Sequence, residues 1–314
     1  DGKLFVTTGE RDTFDPSRAI HQGLRELGEK FGVDLARTTR FSHGTTVATN
    51  ALLQRRGCKV ALVTTGGFRD LIEIGRQIRP KIYSLQEDQP DHVVARQDRL
   101  EAAERVLSDG SVHRALDAPE IERIVASVKE RDADACAICF LFAFVNDGHE
   151  AALAARLRDA LPDLYVSTSS EVQPEFREYE RMSTTVINAY LQPVMHRYLS
   201  GLRDGLETLI PAAQIGVNQS TGGLMALDRA IRFPVRTALS GPAAGAMGAV
   251  HVARTSGHPD VVTLDMGGTS ADVCLIRAAS VGRAFEREIN GLPLRMPMVD
   301  INTVGAGGGS IAWF

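Results

Sequence analysis

Apolar positions along the chain fall into two periods, one helical and one extended. From Pro16 to Gly32 the stripe Ile20, Leu24, Leu27 and Phe31 predicts a helix that Gly32 closes. SHGTTVATNALLQRRG reads as a polar turn entering a helix that ends at Gly57. KVALVTT, 59–65, is β-branched and reads as a strand; Gly66-Gly67 breaks it and FRDLIEIGRQ follows as a helix. Asp117 is placed to cap a helix with Pro119 just inside its start and Ile121, Ile124 and Val128 on its apolar stripe. The continuous apolar run from Ala135 to Val145 predicts a buried strand, and the helix His149 to Leu161 and the strand LYVSTS come after it. Strands alternating with helices, one strand apolar on both faces, predict an α/β sheet with helices on its two sides.

From Pro174 to about Leu206 the pattern is one long helix interrupted at Pro193, linking this unit to a second. The second unit holds IGVNQSTGGLM, the small-residue segment SGPAAGAMGAVHVA, the strand VVTLD, the turn MGGTS, the strand ADVCLI and the final TVGAGGGS. No internal repeat or low-complexity linker is visible.

Composition narrows the class. A chain of 314 residues, 44% hydrophobic and 24% charged, is an ordinary globular composition of about two domains, which excludes disorder, coiled coil and collagen. The net charge of −4 gives nucleic-acid binding no electrostatic support. No apolar run approaches the roughly 20 residues of a membrane helix. Four cysteines with no leader segment point to a reducing compartment, the cytoplasm. Cys136 and Cys139 have CxxC spacing, but on a strand that offset puts the thiols on opposite faces, so they read as buried side chains. The chain also looks cut at both ends: Asp1-Gly2 is a hairpin turn with no strand before it, KLFVTT follows as a strand, and Ile311 to Phe314 begins an element and stops.

Glycine, 29 residues or about 9% against a typical ~7%, is the one deviation, and it concentrates late in the chain. In VVTLDMGGTSADVCLI a strand ends at Asp265, Gly267 and Gly268 turn the chain, Thr269 and Ser270 follow, and a strand resumes at Ala271. Such a turn lets backbone N–H groups approach a phosphate, and the Asp265 carboxylate suits a hydrated Mg²⁺ that neutralises it. The plain alternative is a tight hairpin with an aspartate beside its turn. No GKS or GKT makes it a Walker loop, and no helix follows to make it a Rossmann turn. In GAGGGS, Gly305, Gly307, Gly308 and Gly309 serve a backbone that approaches a ligand or simply moves as a loop. His43, Gly44, Thr45 and Thr46 enter a helix, either as a capping turn or as a corner that binds an anion or carbonyl. Arg76 and Arg79 flank a helix end as solvated side chains do, FREYER (176–181) reads as a surface and interdomain salt-bridge face, and Asn218, Ser220, Gly222 and Gly223 form another turn at the cleft.

DMGGTSADV resembles the second phosphate motif of the actin, Hsp70 and sugar-kinase superfamily, and SGPAAGAMGAV lies where that superfamily has a connecting helix. FSHGTTVATNALL, LVTTGGFRDLIEIGRQIRP, PEFREYERMSTTVINAYL, LSGPAAGAMGAV, TLDMGGTSADV and DINTVGAGGGSIAW together resemble the hydantoinase A and 5-oxoprolinase family, which includes subunits of acetone and acetophenone carboxylases. The resemblance implies an actin-like (ribonuclease H-like) ATPase fold, two α/β domains at 1–182 and 183–314 with a nucleotide cleft between them. It implies ATP and Mg²⁺ as cofactors, Asp265 with Gly267 to Ser270 as half of the ATP site, and the 305–310 loop facing the γ-phosphate and substrate. A first phosphate hairpin would precede Asp1 and an adenine site would follow Phe314. IGRQIRP becomes a wall of the substrate cleft, where Arg76 holds a carboxylate or phosphate, and His43 becomes the candidate for carbonyl polarisation or proton transfer.

The implied activity is ATP-dependent opening of a cyclic amide or imide, of the hydantoin or 5-oxoproline type, by phosphorylation of the carbonyl oxygen. Ketone carboxylation by the same phosphoryl chemistry is the alternative, and a non-enzymatic nucleotide switch is a third. A hydantoinase B-type partner subunit or fused domain is implied as well. At position 302, where family members carry His or Asn, this chain has Asn302, the oxoprolinase-like choice.

Overall fold

The computed structural model describes residues 5–7, 16–78, 83, 91–268 and 271–311. The turn at Asp1-Gly2, Arg79, Thr269, Ser270 and the residues from Ala312 to Phe314 lie outside them, and of KLFVTT only residues 5–7 are described, without strand pairing.

A four-stranded parallel sheet forms the first layer, in the order Arg99–Ala102, Val60–Thr65, Ala135–Cys139, Tyr165–Thr168. Its two central strands are buried at every position, as an all-apolar run requires when both faces are covered. On one face, Cys136 and Ile138 pack with Ile124 and Val128 of the helix Ala118–Glu130 and with Leu153 and Leu157 of the helix Gly148–Ala160. On the other, Ala135, Ala137 and Cys139 join the larger core built on the helix Glu178–Leu209. Cys136 and Cys139 therefore do face opposite ways. Burial pushes their thiols up to about 12 and about 11, which leaves neither reactive at neutral pH.

Several predicted boundaries move, each for a local reason. The strand expected over 135–145 ends at Cys139 because the next amides leave the ladder: Phe140 N donates to Glu150 Oε1 (2.9 Å) and Leu141 N to Thr65 Oγ1 (3.0 Å). The helix expected to reach Gly57 ends at Leu53, where Arg55 takes a positive φ of 52°. FRDLIEIGRQ yields only the turn Leu71–Ile74, stopped by Gly75 at φ 54°. FREYER is not a surface face throughout, since Arg181 is fully buried: Nη1 donates to Ser169 Oγ (2.8 Å) and Nη2 to Phe140 O (2.9 Å).

The long helix is not interrupted at Pro193. Proline denies the carbonyl of Ala189 its helical donor, and a neighbouring segment supplies another. Cys58 Sγ donates to Ala189 O at 3.4 Å and Cys58 N to Tyr190 O at 3.2 Å. The approach needs Gly57, where a Cβ would lie 2.2 Å from the Tyr190 ring. The helix Pro16–Phe31 packs along the same long helix.

Beyond it, Gln214–Asn218 pairs in parallel with Arg40–His43 and antiparallel with Leu224–Ala226. The hairpin Arg283–Ile289 and Leu292–Val299 turns at Asn290-Gly291, both at positive φ, as a two-residue turn requires. Alternate residues Leu292, Leu294, Met296 and Met298 enter the large core. The last sheet places Val261–Met266 antiparallel to Ala271–Arg277, whose other edge pairs with Ser280–Val281 and Ile301–Val304. The helix Ser240–Thr255 covers one face of it through Ala243, Ala246, Cys274, Val299 and Ile301.

Candidate functional site

The two late glycine segments meet. Gly308 N donates to Gly267 O and Gly309 N to Gly268 O, each at 2.9 Å, so the 305–310 loop lies against the hairpin turn. A second pair of bonds folds the loop on itself, Ser310 N to Gly307 O (2.9 Å) and Gly307 N to Ser310 Oγ (3.0 Å). A Cβ at Gly309 would come within 3.0 Å of the Gly268 carbonyl, so only glycine fits without movement there. The amides of Gly308 and Gly309 thus build the joint, while that of Gly307 closes the loop's own turn. Capping the Gly267 and Gly268 carbonyls also removes two acceptors that would repel a phosphate.

In the hairpin register Asp265 stands opposite Asp272, a partner that sequence reading missed. Counting back equally from both sides of the four-residue turn would have found it. Thr303, on the adjoining strand, donates its hydroxyl to Asp272 Oδ1 at 2.5 Å. These carboxylates line a cleft of about 290 Å³ against Pro242, Gly245 and Ala246 of the small-residue helix. Directly opposed like charges on paired strands are unfavourable unless a cation separates them. Mg²⁺ takes one or two carboxylates and completes its shell with water and phosphate oxygens. Among the described residues there is no group of three or more His, Cys, Asp or Glu able to hold a metal. A two-carboxylate edge beside an open cleft therefore fits Mg²⁺ delivered with a phosphate, and Asp265 and Asp272 are the residues that would hold it.

The HGTT corner lies partly inside the fold. His43 is buried, its Nε2 lies 2.7 Å from the Tyr198 hydroxyl, and burial lowers its pKa to about 4, so the ring is neutral at pH 7. Thr45 Oγ1 accepts from Val47 N at 3.1 Å, while Thr46, at the N-cap of the helix Val47–Leu53, makes no capping bond with its side chain. What the corner does hold is the start of the small-residue helix: Ser240 Oγ donates to Thr45 O (3.2 Å) and Leu239 N to Thr49 Oγ1 (2.9 Å). Gly44 joins strand to corner. Ser220, in the NQSTGG turn, donates to Arg236 O at 2.8 Å and also to Ala238 O, which fixes the segment leading into that helix.

Arg76 is part of a separate cleft of about 530 Å³, with Glu73, His92, Tyr179 and Arg287 among its walls. Its fork is already engaged, Nε and Nη2 donating to Glu180 Oε1 (2.6 Å) and Oε2 (2.7 Å). Arg287, bonded to Asp300 at 2.9 Å, also borders a narrow seam with Thr303, Ser220 and Leu239, so the larger cleft and the glycine site share a wall region. Arg79, Thr269 and Ser270, expected members of these sites, lie outside the described residues.

The mixed α/β layers are those of the actin-like (ribonuclease H-like) ATPase fold. The whole chain superposes on the crystal structure of ATP-dependent caprolactamase from Pseudomonas jessenii with a TM-score of 0.85 and 34% identity, covering 46% of that chain. A nucleotide-free acetone carboxylase structure shares the fold at a TM-score of 0.83 and 21% identity, with 95% of this chain and 44% of that one covered.

The chain belongs to the hydantoinase/oxoprolinase family: the family model for the N-terminal region matches residues 3–161 and the hydantoinase/oxoprolinase model matches 181–314. It is 36% identical to caprolactamase subunit alpha of Pseudomonas jessenii over 95% of this chain and 44% of that protein. It is 31% identical to 5-oxoprolinase of Dictyostelium discoideum, with 95% and 27% covered, and 30% identical to the acetophenone carboxylase gamma subunit of Aromatoleum aromaticum, with 99% and 45% covered. The chain spans less than half the length of these relatives.

Proposed function

We propose that this chain is part of an ATP-dependent enzyme that opens a cyclic amide or imide by phosphorylating its carbonyl oxygen. The observation that carries the reading is the joint of the 305–310 loop and the Gly267-Gly268 turn beside the opposed carboxylates of Asp265 and Asp272. A lactam carbonyl is a poor electrophile because its nitrogen donates into it. Transfer of the γ-phosphoryl to that oxygen, with loss of the N–H proton, releases ADP and leaves an imidate carbon bearing a phosphate, to which water adds. The C–N bond then breaks with the protonated amine departing, and a second water releases inorganic phosphate from the acyl group. Mg²⁺, when bound, would neutralise phosphate charge. Asp265 and Asp272 hold its coordination edge, Thr303 orients the Asp272 carboxylate, and the docked glycine loop walls the phosphate side. The Arg76 cleft is the proposed substrate side, with Arg79 as its neighbour in sequence. His43, neutral and held by Tyr198, sets the corner on which the cleft helix rests, and its proposed part in proton transfer requires that corner to open. The proposed partner is a hydantoinase B-type subunit or domain, and the proposed compartment is the cytoplasm.

The test is substrate-stimulated ADP release by the complete protein with its partner, across cyclic amides and imides. Asp265→Ala is expected to lower turnover at least a hundredfold with an unchanged circular dichroism spectrum; removing one preorganised electrostatic contact commonly costs that much. Unchanged turnover would remove Asp265 from this role. The identity with the acetophenone carboxylase gamma subunit over 99% of the chain supports a second reading, ketone carboxylation. Bicarbonate-dependent carboxylate formation would select it.

A further inference from the structure

Among the described residues, a group of arginines away from both clefts is short of counter-charge. Arg229, Arg232 and Arg236 all lie over the ring of Phe233, their guanidinium carbons 5.5, 5.4 and 5.7 Å from its centroid. Arg232 is neutralised by Glu171, which also attracts Arg158 at 3.9 Å. The nearby Asp228 is taken by Arg203. Arg229 is exposed and its described contact is the ring. Arg236 is half-buried; its Nη2 reaches Val172 O at 3.3 Å, while Nε is buried without a hydrogen-bond partner.

We infer that Arg229 and Arg236, gathered on Phe233, form a binding site for a small oxyanion, phosphate or carboxylate. Planar guanidiniums present paired N–H donors that match two oxygens of such a group, and stacking on a ring fixes their orientation before the ligand arrives. An anion would also relieve the repulsion between the two cations. That repulsion is visible in Arg236: burial first, then the charge of Arg229, holds its pKa below the ordinary arginine value, and no carboxylate acts in the other direction. In a chain of net charge −4 such a local excess is not a general property of the surface.

The 314-residue chain, in magnesium-free buffer, is titrated calorimetrically with inorganic phosphate, with acetate and with chloride at equal ionic strength. A saturable response to phosphate or acetate beyond that of chloride is expected; which anion gives it separates a phosphoryl-bearing from a carboxylate-bearing ligand. Arg229→Gln and Arg236→Gln should each weaken it about tenfold, the worth of one charge-assisted hydrogen bond, while Arg277→Gln, an equal loss of charge elsewhere, should leave it unchanged. If Arg236→Gln does not fold, the exposed Arg229→Gln decides. Responses equal to chloride, or undiminished in the variants, or equally reduced in Arg277→Gln, overturn the site.

Discussion

His43 shows how one side chain can stand out in a sequence while its surroundings stay hidden. A histidine before glycine and two threonines looks like a ligand corner, yet nothing in that string says which side of the strand end faces the core. In the fold it is buried against Tyr198 with its pKa lowered to about 4. An unfolded histidine, near 6.5, takes up its proton first as pH falls. Between those values the unfolded state binds more protons, so stability is full above about 6.5 and declines toward pH 4, by up to about 3 kcal/mol. Urea unfolding at pH 7 and pH 4.5 should show that loss, and His43→Gln should remove most of it; an equal pH difference in the variant would show that His43 is not its source. Asp265 was legible because a glycine turn follows it, whereas Asp272 and Thr303 needed the pairing register, and Tyr198 needed the tertiary fold.

Among the elements, the long helix corrects a general rule with a specific contact. Pro193 predicts a break, but the break is a missing donor, and Cys58 supplies one from a segment far away in sequence. Cys58→Ala should therefore destabilise the chain by about 1 kcal/mol in denaturant titration, the net worth of a buried hydrogen bond. Cys58→Ser, which keeps a donor, should recover most of it; equal loss in both would point to packing instead. The two central parallel strands were legible because, buried on both faces, they become continuous apolar runs, whereas the edge strand Arg99–Ala102, with the sequence RLEA, went unread. The hairpin over 283–299 went unread although Asn290-Gly291, followed by the alternating LPLRMPMV, carries its signal. The run 135–145 was read too long because apolar content cannot show that Glu150 and Thr65 capture the amides at 140 and 141.

At the largest scale, three hydrophobic cores among the described residues each contain a buried cysteine. Cys139 belongs to the large core, Cys136 to the core on the opposite face of the parallel sheet, and Cys274 to the small cluster under the glycine hairpin. The small cluster is held by five buried residues and is the least anchored of the three. In native-state thiol labelling with rising denaturant, Cys274 should react well before Cys136 and Cys139, which should react together at the global transition. Simultaneous labelling of all three would mean that the hairpin sheet is no weaker than the rest. The α/β class and the family were legible from the sequence because motifs spread from residue 41 to 313 keep their order. The meeting of the two glycine segments was not, since it is made by main-chain atoms alone. A joint of that kind reads no side chain across the contact: it can be jammed by a single added methyl at 309 but not retuned by exchanging one residue for another.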